Sequence, residues 1–149
     1  MIPRRAKSRP GQRARERLLV VAALIESDGK ILVCQRRKND AFGLKWEFPG
    51  GKVQRGENPA EALARELKEE LDVDAAIGEE IYRTRHRYAE LAREIELIFF
   101  GARADSNKMR NLAFEQMRWV TPGELAGLDF LPADREFVAI LARRTTPTK

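Results

Sequence analysis

The sequence predicts an α/β fold in which a mixed β-sheet carries two helices. Two apolar runs of strand length flank the dipeptide Asp28–Gly29, which is a strong signal for a hairpin turn. A helical pattern, three further strand-like runs and a second helical pattern follow, so the element order is β-β-α-β-β-β-α. Helices interspersed with strands in this way are typical of a layered α/β domain. The 149 residues are enough for one domain with a full core.

Ahead of the first strand, residues 1–16 are predicted to form a basic, disordered tail, which leaves residues 17–149 as the folded domain. Residues 1–17 hold seven basic side chains and one acid, and the rest of the chain holds 21 basic and 22 acidic side chains. The net charge of +5 therefore belongs to the tail, which has almost nothing to bury. Two roles are open for it, weak binding of polyanions and keeping the protein in solution.

The first two strands are predicted over residues 17–27 and 30–37, on either side of the turn. Residues 38–51 are rich in Gly, Asn and Asp, and we expect a loop there with one short extended piece at Trp46–Phe48. The glycine pair that ends this loop allows the main chain to pass close to a ligand.

A helix is predicted from Asn58 to Leu71 or Asp72. Asn58 is a suitable N-cap, and Pro59 suits the first helical position because its missing N–H has no helical partner there. Glu61 completes a capping-box pattern with Asn58. The local sequence therefore specifies where this helix begins.

Three strands are predicted beyond this helix. They cover residues 74–88, 93–104 and 114–120, where apolar and β-branched residues recur between turn signals. The first two are expected to be joined by a connection around Ala89–Ala92.

Two further helices complete the prediction. A second capping pattern indicates a short helix over residues 121–125. The final helix is predicted over residues 131–144, with Phe137, Ile140 and Leu141 on its buried face.

The first predicted helix carries three acids, Glu66, Glu69 and Glu70, within an arc of about 100°. Like charges three or four residues apart repel, and each pair costs about 0.2–0.5 kcal/mol on an exposed helix. The arc borders the apolar face, which is formed by Ala60, Leu63, Ala64, Leu67 and Leu71. Carboxylate oxygens suit a hard divalent cation such as Mg²⁺, which also binds substrate phosphates. The pattern indicates a metal site, with a solvated surface as the alternative.

Composition excludes several other classes of protein. No apolar run approaches the ~20 residues that span a bilayer, and no signal-peptide segment is recognisable. Cys34 is the single cysteine and His86 the single histidine, so neither an internal disulfide nor a zinc site is expected. We expect a cytoplasmic protein that has no membrane partner.

The segment GKVQRGENPAEALARELKEELDV, residues 51–73, resembles the Nudix box. That pattern is Gly, five residues, Glu, seven residues, then Arg-Glu-hydrophobe-x-Glu-Glu-x-Gly-hydrophobe. The positions in register are Gly51, Glu57, Arg65, Glu66, Leu67, Glu69, Glu70 and Val73. Asp72 stands where the family usually has Gly, and Asp tolerates a left-handed conformation better than most residues. The preceding WEFPGG is similar to the MutT-type branch of the family.

The resemblance implies a Nudix-type α/β/α sandwich with a mixed sheet, and a hydrolase that cleaves a nucleoside diphosphate linked to another moiety. It implies Mg²⁺, or Mn²⁺ in its place, held by Glu66, Glu69, Glu70 and the Gly50 carbonyl. It also implies that Glu57 and Arg65 form a pair that fixes the loop against the helix. Glu115 matches an extra acid that serves as general base in some members, and an exposed residue at a strand end is the alternative.

The resemblance further implies a set of substrate-binding residues. Arg37, or Arg36 if the alignment slips by one, would contact the substrate phosphates, and an ordinary surface arginine is the alternative. Glu47 lies just before the glycines and is a further candidate. Asp134 would hydrogen-bond an amino group of the base, or it would only interact with the helix dipole. Phe130 would stack on the base or pack in the core.

The implied activity is that of a nucleoside triphosphate pyrophosphohydrolase, which releases a nucleoside monophosphate and pyrophosphate. The implied substrates are an oxidised purine nucleotide such as 8-oxo-dGTP, or a cytidine nucleotide. Hydrolysis of dinucleoside polyphosphates or of RNA caps is the alternative enzyme activity, and a non-catalytic nucleotide-binding module is a more distant one. The partner is thus a nucleotide substrate, and the protein is a monomer or a homodimer.

Overall fold

The computed structural model describes residues 17–89 and 93–144, and the predicted tail over residues 1–16 lies outside them. This part of the chain folds into seven strands, two α-helices and three short 3₁₀ helices. The strands are β1 (Arg17–Ser27), β2 (Lys30–Gln35), β3 (Trp46–Glu47), β4 (Gly50–Lys52), β5 (Ala76–Tyr88), β6 (Arg93–Arg103) and β7 (Gln116–Val120). The α-helices are α1 (Pro59–Leu71) and α2 (Arg135–Ala142), and the 3₁₀ helices are Ser106–Lys108, Pro122–Gly127 and Pro132–Asp134.

Strand β1 lies in the middle of the sheet and organises it. It runs parallel to β6 over nine residue pairs and antiparallel to both β2 and β4. Strand β2 pairs with β3 and β7, and β5 forms the opposite edge beside β6. The predicted mixed sheet is confirmed. The Asp28–Gly29 turn is also confirmed, with φ of 51° and 77° at the two residues.

Each face of the sheet carries its own core, and alternate residues of β1 enter the two cores. Val21 and Ala23 pack with α1, whereas Ala22 and Leu24 pack on the side of α2. Successive side chains of a strand point to opposite faces, so an apolar run such as β1 is expected where both faces are covered. The arrangement is the predicted α/β/α sandwich.

The capping residues of α1 behave as their sequence predicts. The Asn58 side chain accepts a hydrogen bond from the Glu61 N–H at 2.9 Å, and the Glu61 carboxylate accepts one from the Asn58 N–H at 3.1 Å. At the other end Asp72 is left-handed, with φ of 57°, and its N–H donates to the Lys68 carbonyl. Asp72 therefore ends the helix in the conformation that glycine would adopt there.

Replacing Asn58 with Ala is expected to destabilise the protein by about 1 kcal/mol, because the N–H of Glu61 loses its side-chain acceptor. The melting temperature should fall by about 3 °C. Asn58→Ser retains a capping oxygen and is the matched control, with a melting temperature close to that of the unchanged protein. Equal losses in the two variants, measured by thermal unfolding, would contradict this role of the cap.

Strand β4 is missing from the sequence prediction, which treats residues 38–51 as a loop apart from Trp46–Phe48. Pairing with β1 creates the strand, and it brings Gly50 opposite Ala22. A Cβ atom at Gly50 would collide with the Val21 carbonyl oxygen. The close approach of β4 to β1 thus depends on a glycine. The local sequence has no strand propensity from which β4 could be predicted.

The final helix is shorter than predicted. Residues 131–144 divide into the 3₁₀ turn Pro132–Asp134 and α2, which begins at Arg135. Phe137, Val138 and Leu141 are buried, whereas Ile140 is 40% exposed, so the placement of Ile140 in the core is wrong. The buried face is centred on Leu141, which places Ile140 about 100° away from it.

No helix in the described ranges has the length and apolar character needed to cross a membrane; the longest, α1, has 13 residues.

Candidate active site

The turn from β4 into α1 is shaped by contact between a glycine and a glutamate. A Cβ atom at Gly51 would collide with the carboxylate of Glu66, so this carboxylate lies directly against the main chain of β4. One turn later, the Glu70 carboxylate accepts a hydrogen bond from the Gly50 N–H at 3.1 Å. The glycine pair therefore allows both carboxylates to be held beside the sheet.

Arg65 connects the segment before α1 to this carboxylate row. Its guanidinium group donates to both oxygens of Glu57, at 2.6 and 3.0 Å, and to the Lys52 carbonyl at 3.0 Å. It also contacts Glu66 at 3.0 Å and Glu69 at 3.5 Å. The hydrogen bond from Arg65 lowers the pKa of Glu57, and the same contact raises the pKa of Arg65. The structure thus brings Glu57 and Arg65 together and ties β4 to α1.

Glu70 is the most strongly perturbed acid of the helix. Burial raises its pKa to about 9, and the charges of Glu66 and Glu47 act in the same direction. The hydrogen bond from Gly50 opposes them. Burial and the neighbouring acids therefore disfavour the ionised form of Glu70, and a bound cation would favour it.

The three acids differ in exposure. The Glu66 side chain is 16% exposed, whereas that of Glu69 is 60% exposed. Within residues 17–89 and 93–144, no three Asp, Glu, His or Cys side chains converge with metal-binding spacing. The donor set of carboxylate oxygens beside a glycine pair nevertheless fits a hard divalent ion such as Mg²⁺.

The burial of Ala62 shows that the buried face of α1 extends to the side of the helix that carries the acids. Ala62 lies on the same side of α1 as the acids, and it is fully buried. The buried face is therefore wider than the face proposed from the sequence, which leaves Ala62 out and includes the partly exposed Ala60 and Ala64. Acids that seem from the sequence to border the core are partly within it, because β4 packs over them.

The C-terminal end of α1 is held by the segment over residues 110–115. The N–H groups of Arg110 and Leu112 donate to the carbonyls of Leu71 and Glu70, at 2.9 and 3.0 Å. These contacts satisfy carbonyls that have no partner within the helix. The Glu115 N–H donates to the Gln35 carbonyl. The Glu115 side chain is exposed and is not part of the lining of the cavity beside Glu70. Its proposed role as general base stays a prediction.

A cavity of about 440 Å³ opens beside Glu70 and extends between the sheet and the start of α2. Its charged lining consists of Arg36, Glu47, Lys52, Glu70, Arg93 and Asp134, and its aromatic lining of Phe42, Phe48 and Tyr88. Small-molecule sites typically measure 300–1,000 Å³ and combine apolar walls with a few polar groups. Glu70 of the acid row and Asp134 thus line one space, whereas Glu66 and Glu69 are not part of its lining.

Of the two candidate arginines, Arg36 lines the cavity and Arg37 does not. Arg36 donates to Glu47 at 3.1 Å, whereas Arg37 reaches only the Leu112 carbonyl at 3.4 Å. The geometry therefore favours Arg36, the alternative to Arg37, and its contact with the substrate phosphates stays a prediction. Residues alternate between the two faces of a strand end, so a shift of one position reverses the direction of the side chain.

Asp134 and Glu47 are two further acids that line the cavity, and Asp134 is buried whereas Glu47 is half-buried. Asp134 is 3% exposed, and burial raises its pKa well above the usual value, with the charge of Glu47 adding to the effect. Burial also raises the pKa of Glu47, although its ion pair with Arg36 opposes the shift. A protonated Asp134 carboxyl can donate one hydrogen bond and accept another, whereas the carboxylate proposed from the sequence only accepts.

Phe130 does not line the cavity, which corrects its proposed stacking on the base. Its ring is buried and stacks on Phe48 with the centroids 5.3 Å apart. The aromatic surface comes from Phe48, Phe42 and Tyr88, none of which is predicted from the sequence as a site residue. No spacing rule joins residues so distant in the chain; the only local signal is that Phe48 precedes the glycine pair.

The family model described as the NUDIX domain matches residues 15–141. A relative described as CTP pyrophosphohydrolase from Escherichia coli (strain K12) is 38% identical over 130 residues, which cover 84% of this chain and 94% of that protein. A relative described as putative 8-oxo-dGTP diphosphatase 2 from Mycobacterium tuberculosis is 36% identical over 132 residues, covering 84% of this chain and 88% of its own. The solution structure of the E. coli ORF135 protein superposes with a TM-score of 0.73 at 31% identity, over 94% of this chain and 100% of that one.

Proposed function

Because the chain belongs to the NUDIX domain family, we propose that it is a pyrophosphohydrolase that converts a nucleoside triphosphate to a nucleoside monophosphate and pyrophosphate. One observation carries the assignment. Glu70, from the carboxylate row of α1, and Asp134 line the same cavity, so one space offers an acid for the metal-bound phosphates and an acid for the base. Its volume of about 440 Å³ suits a ligand the size of one nucleoside.

The proposed substrates are a cytidine nucleotide or an oxidised purine nucleotide such as 8-oxo-dGTP. The relatives described as CTP pyrophosphohydrolase and 8-oxo-dGTP diphosphatase support this pair. The buried carboxyl of Asp134 is compatible with both bases, because each presents an amino group that can donate to it, as adenine does too. Arg36 pairs with Glu47 and lines the same cavity, and we assign it to the substrate phosphates.

The proposed cofactor is Mg²⁺, with Mn²⁺ as a substitute, and its ligands are Glu66, Glu69, Glu70 and the Gly50 carbonyl. When bound, such an ion supplies charge neutralisation for the polyphosphate and a template for in-line attack by water. The buried position and raised pKa of Glu70 support this assignment, because burial without a counter-charge is unfavourable for a carboxylate.

The remaining residues of the box hold this arrangement in place. Arg65 fixes the Glu66 carboxylate and ties it to Glu57 and to the main chain of β4. The segment over residues 110–115 holds the last turn of α1, and with it Glu70. A carboxylate of this row accepts the proton of the attacking water, and the apolar wall of the cavity keeps other water away from the phosphoanhydride.

A panel of substrates supplied with Mg²⁺ tests the function. We expect pyrophosphate and a nucleoside monophosphate from CTP or 8-oxo-dGTP, and no reaction once the divalent ions are chelated. Diadenosine tetraphosphate, capped RNA and ADP-ribose complete the panel, and preferential cleavage of any of them would contradict the proposed substrate class. Orthophosphate released directly from a triphosphate would contradict the bond assignment, and inactivity on the whole panel would favour a binding module.

A further inference from the structure

The loop between β2 and β3 holds two bulky residues in a left-handed conformation. Phe42 has φ of 56° and Leu44 has φ of 67°. The other non-glycine residues with positive φ in the described ranges are Asp28 and Asp72, which occupy a turn and a helix end. Aspartate adopts this conformation readily, whereas a bulky side chain there is an outlier. Strained residues of this kind persist where the surrounding structure holds them, and they concentrate at ligand sites.

The contacts of Arg36 hold the strained loop closed. The Arg36 N–H donates to the Lys45 carbonyl at 2.9 Å, and the Leu44 N–H donates to the Arg36 carbonyl at 3.0 Å. The Arg36 side chain spans the loop as well, donating to the Ala41 carbonyl at 2.7 Å and to Glu47. Arg36, which lines the cavity, therefore binds the loop through its main chain at Leu44 and Lys45 and through its side chain at Ala41.

The two strained residues point in different directions. Leu44 is 43% exposed and does not line the cavity, whereas the ring of Phe42 lines it. The Phe42 ring lies against Tyr88, with the centroids 5.1 Å apart and the planes inclined by 49°. The Tyr88 hydroxyl accepts a hydrogen bond from the Ala133 N–H, next to Asp134. The pair of rings therefore forms a continuous aromatic wall that leads to the buried acid.

We propose that Phe42 is a substrate-specificity residue whose ring, held in the cavity by the strained loop, stacks on the nucleobase. The proposal rests on the proposed function in taking the ligand to be a nucleotide. A flat aromatic wall beside a hydrogen-bonding carboxyl matches the two surfaces that a base offers, which are its π-face and its polar edge. In this arrangement the Phe42 ring contacts the π-face of the base, and Phe42 takes no part in the chemistry at the phosphates.

Binding of metal-free protein to CMP, 8-oxo-dGMP and ribose 5-phosphate, measured by calorimetry, tests the role of Phe42. Ribose 5-phosphate lacks a base and reports on the remainder of the site. Phe42→Gly relieves the backbone strain and removes the ring, so it should weaken binding of the preferred monophosphate by about 5- to 150-fold. Binding of ribose 5-phosphate should change less than twofold. Phe42→Leu retains an apolar side chain and should show a smaller loss than Phe42→Gly.

Leu44→Gly is the matched control, because it relieves the same kind of strain in the same loop without touching the cavity. It should bind all three ligands as the unchanged protein does, and thermal unfolding should show each variant folded. Unchanged nucleotide binding in Phe42→Gly, or an equal loss for ribose 5-phosphate, would overturn the proposal. The proposal would also be overturned if the unchanged protein bound neither nucleotide more tightly than ribose 5-phosphate. Base-dependent binding without hydrolysis of any triphosphate would instead sink the proposed function and leave the role of Phe42 standing.

Discussion

Glu70→Gln is expected to lower kcat by about 10³-fold while it raises the stability of the metal-free protein. The loss of activity follows from removal of a charged oxygen ligand, since the charge stabilisation that a metal supplies amounts to several kcal/mol. The gain in stability follows from burial beside Glu66 and near Glu47, which disfavours the charged form of Glu70, so that the carboxyl must take up a proton when the protein folds without a cation. A neutral amide of the same shape needs no such proton.

The gain should depend on pH in a defined direction. The pKa of Glu70 is about 9 in the folded protein and near 4.5 in the unfolded chain. Between these values the folded state binds the proton and the unfolded state does not, so the free energy of unfolding falls as pH rises. The variant lacks this contribution. Its melting temperature without metal should exceed that of the unchanged protein by about 5 °C or more at pH 8, and the difference should vanish below pH 4.

Glu61→Gln is the control on the same helix. A glutamine can still serve the capping box, so activity and stability should both stay close to those of the unchanged protein. Turnover and thermal unfolding in the presence of a chelator measure the two effects separately. Full turnover by Glu70→Gln would show that Glu70 is not a metal ligand. A lower melting temperature at pH 8 would show that burial does not disfavour its charged form.

Arg65→Lys is expected to raise the Mg²⁺ concentration needed for half-maximal activity by about 10- to 100-fold. Arginine contacts both oxygens of Glu57, the Lys52 carbonyl and Glu66 at once. The single ammonium group of lysine cannot replace this planar fork. The Glu66 carboxylate is then no longer held against β4, so metal affinity falls more than the intrinsic rate at saturating metal.

Arg83→Lys provides the matched control for the fork. Arg83 also contacts two carboxylates, Glu80 and Glu96, but it lies exposed on β5 and does not line the cavity. Its replacement should leave the metal requirement unchanged. A metal titration of activity and the rise in melting temperature on adding Mn²⁺ should report the same shift for Arg65→Lys. A change in kcat alone, with the metal requirement unaltered, would refute the positioning role.

Local sequence was sufficient wherever one or two residues decide a conformation. Asn58 and Glu61 begin α1, and Asp28–Gly29 makes the hairpin turn, because hydrogen-bonding reach and φ preference act over a few residues. Apart from β4, the order of the main strands and helices and the class of the sheet followed from the apolar periodicity. The spacing of the box acids was readable for the same reason, since positions four residues apart on a helix are neighbours.

Tertiary structure alone decided which of the candidate side chains meet. The direction of Arg36 rather than Arg37, the burial of Phe130 and the inward ring of Phe42 depend on how β2, its following loop and α2 pack together. Glu66 and Glu70 are distinguished from Glu69 by the approach of β4, whose strand character arises only from pairing with β1. Periodicity shows that a residue lies on a face of its own element, but the element packed against that face determines its burial and its pKa.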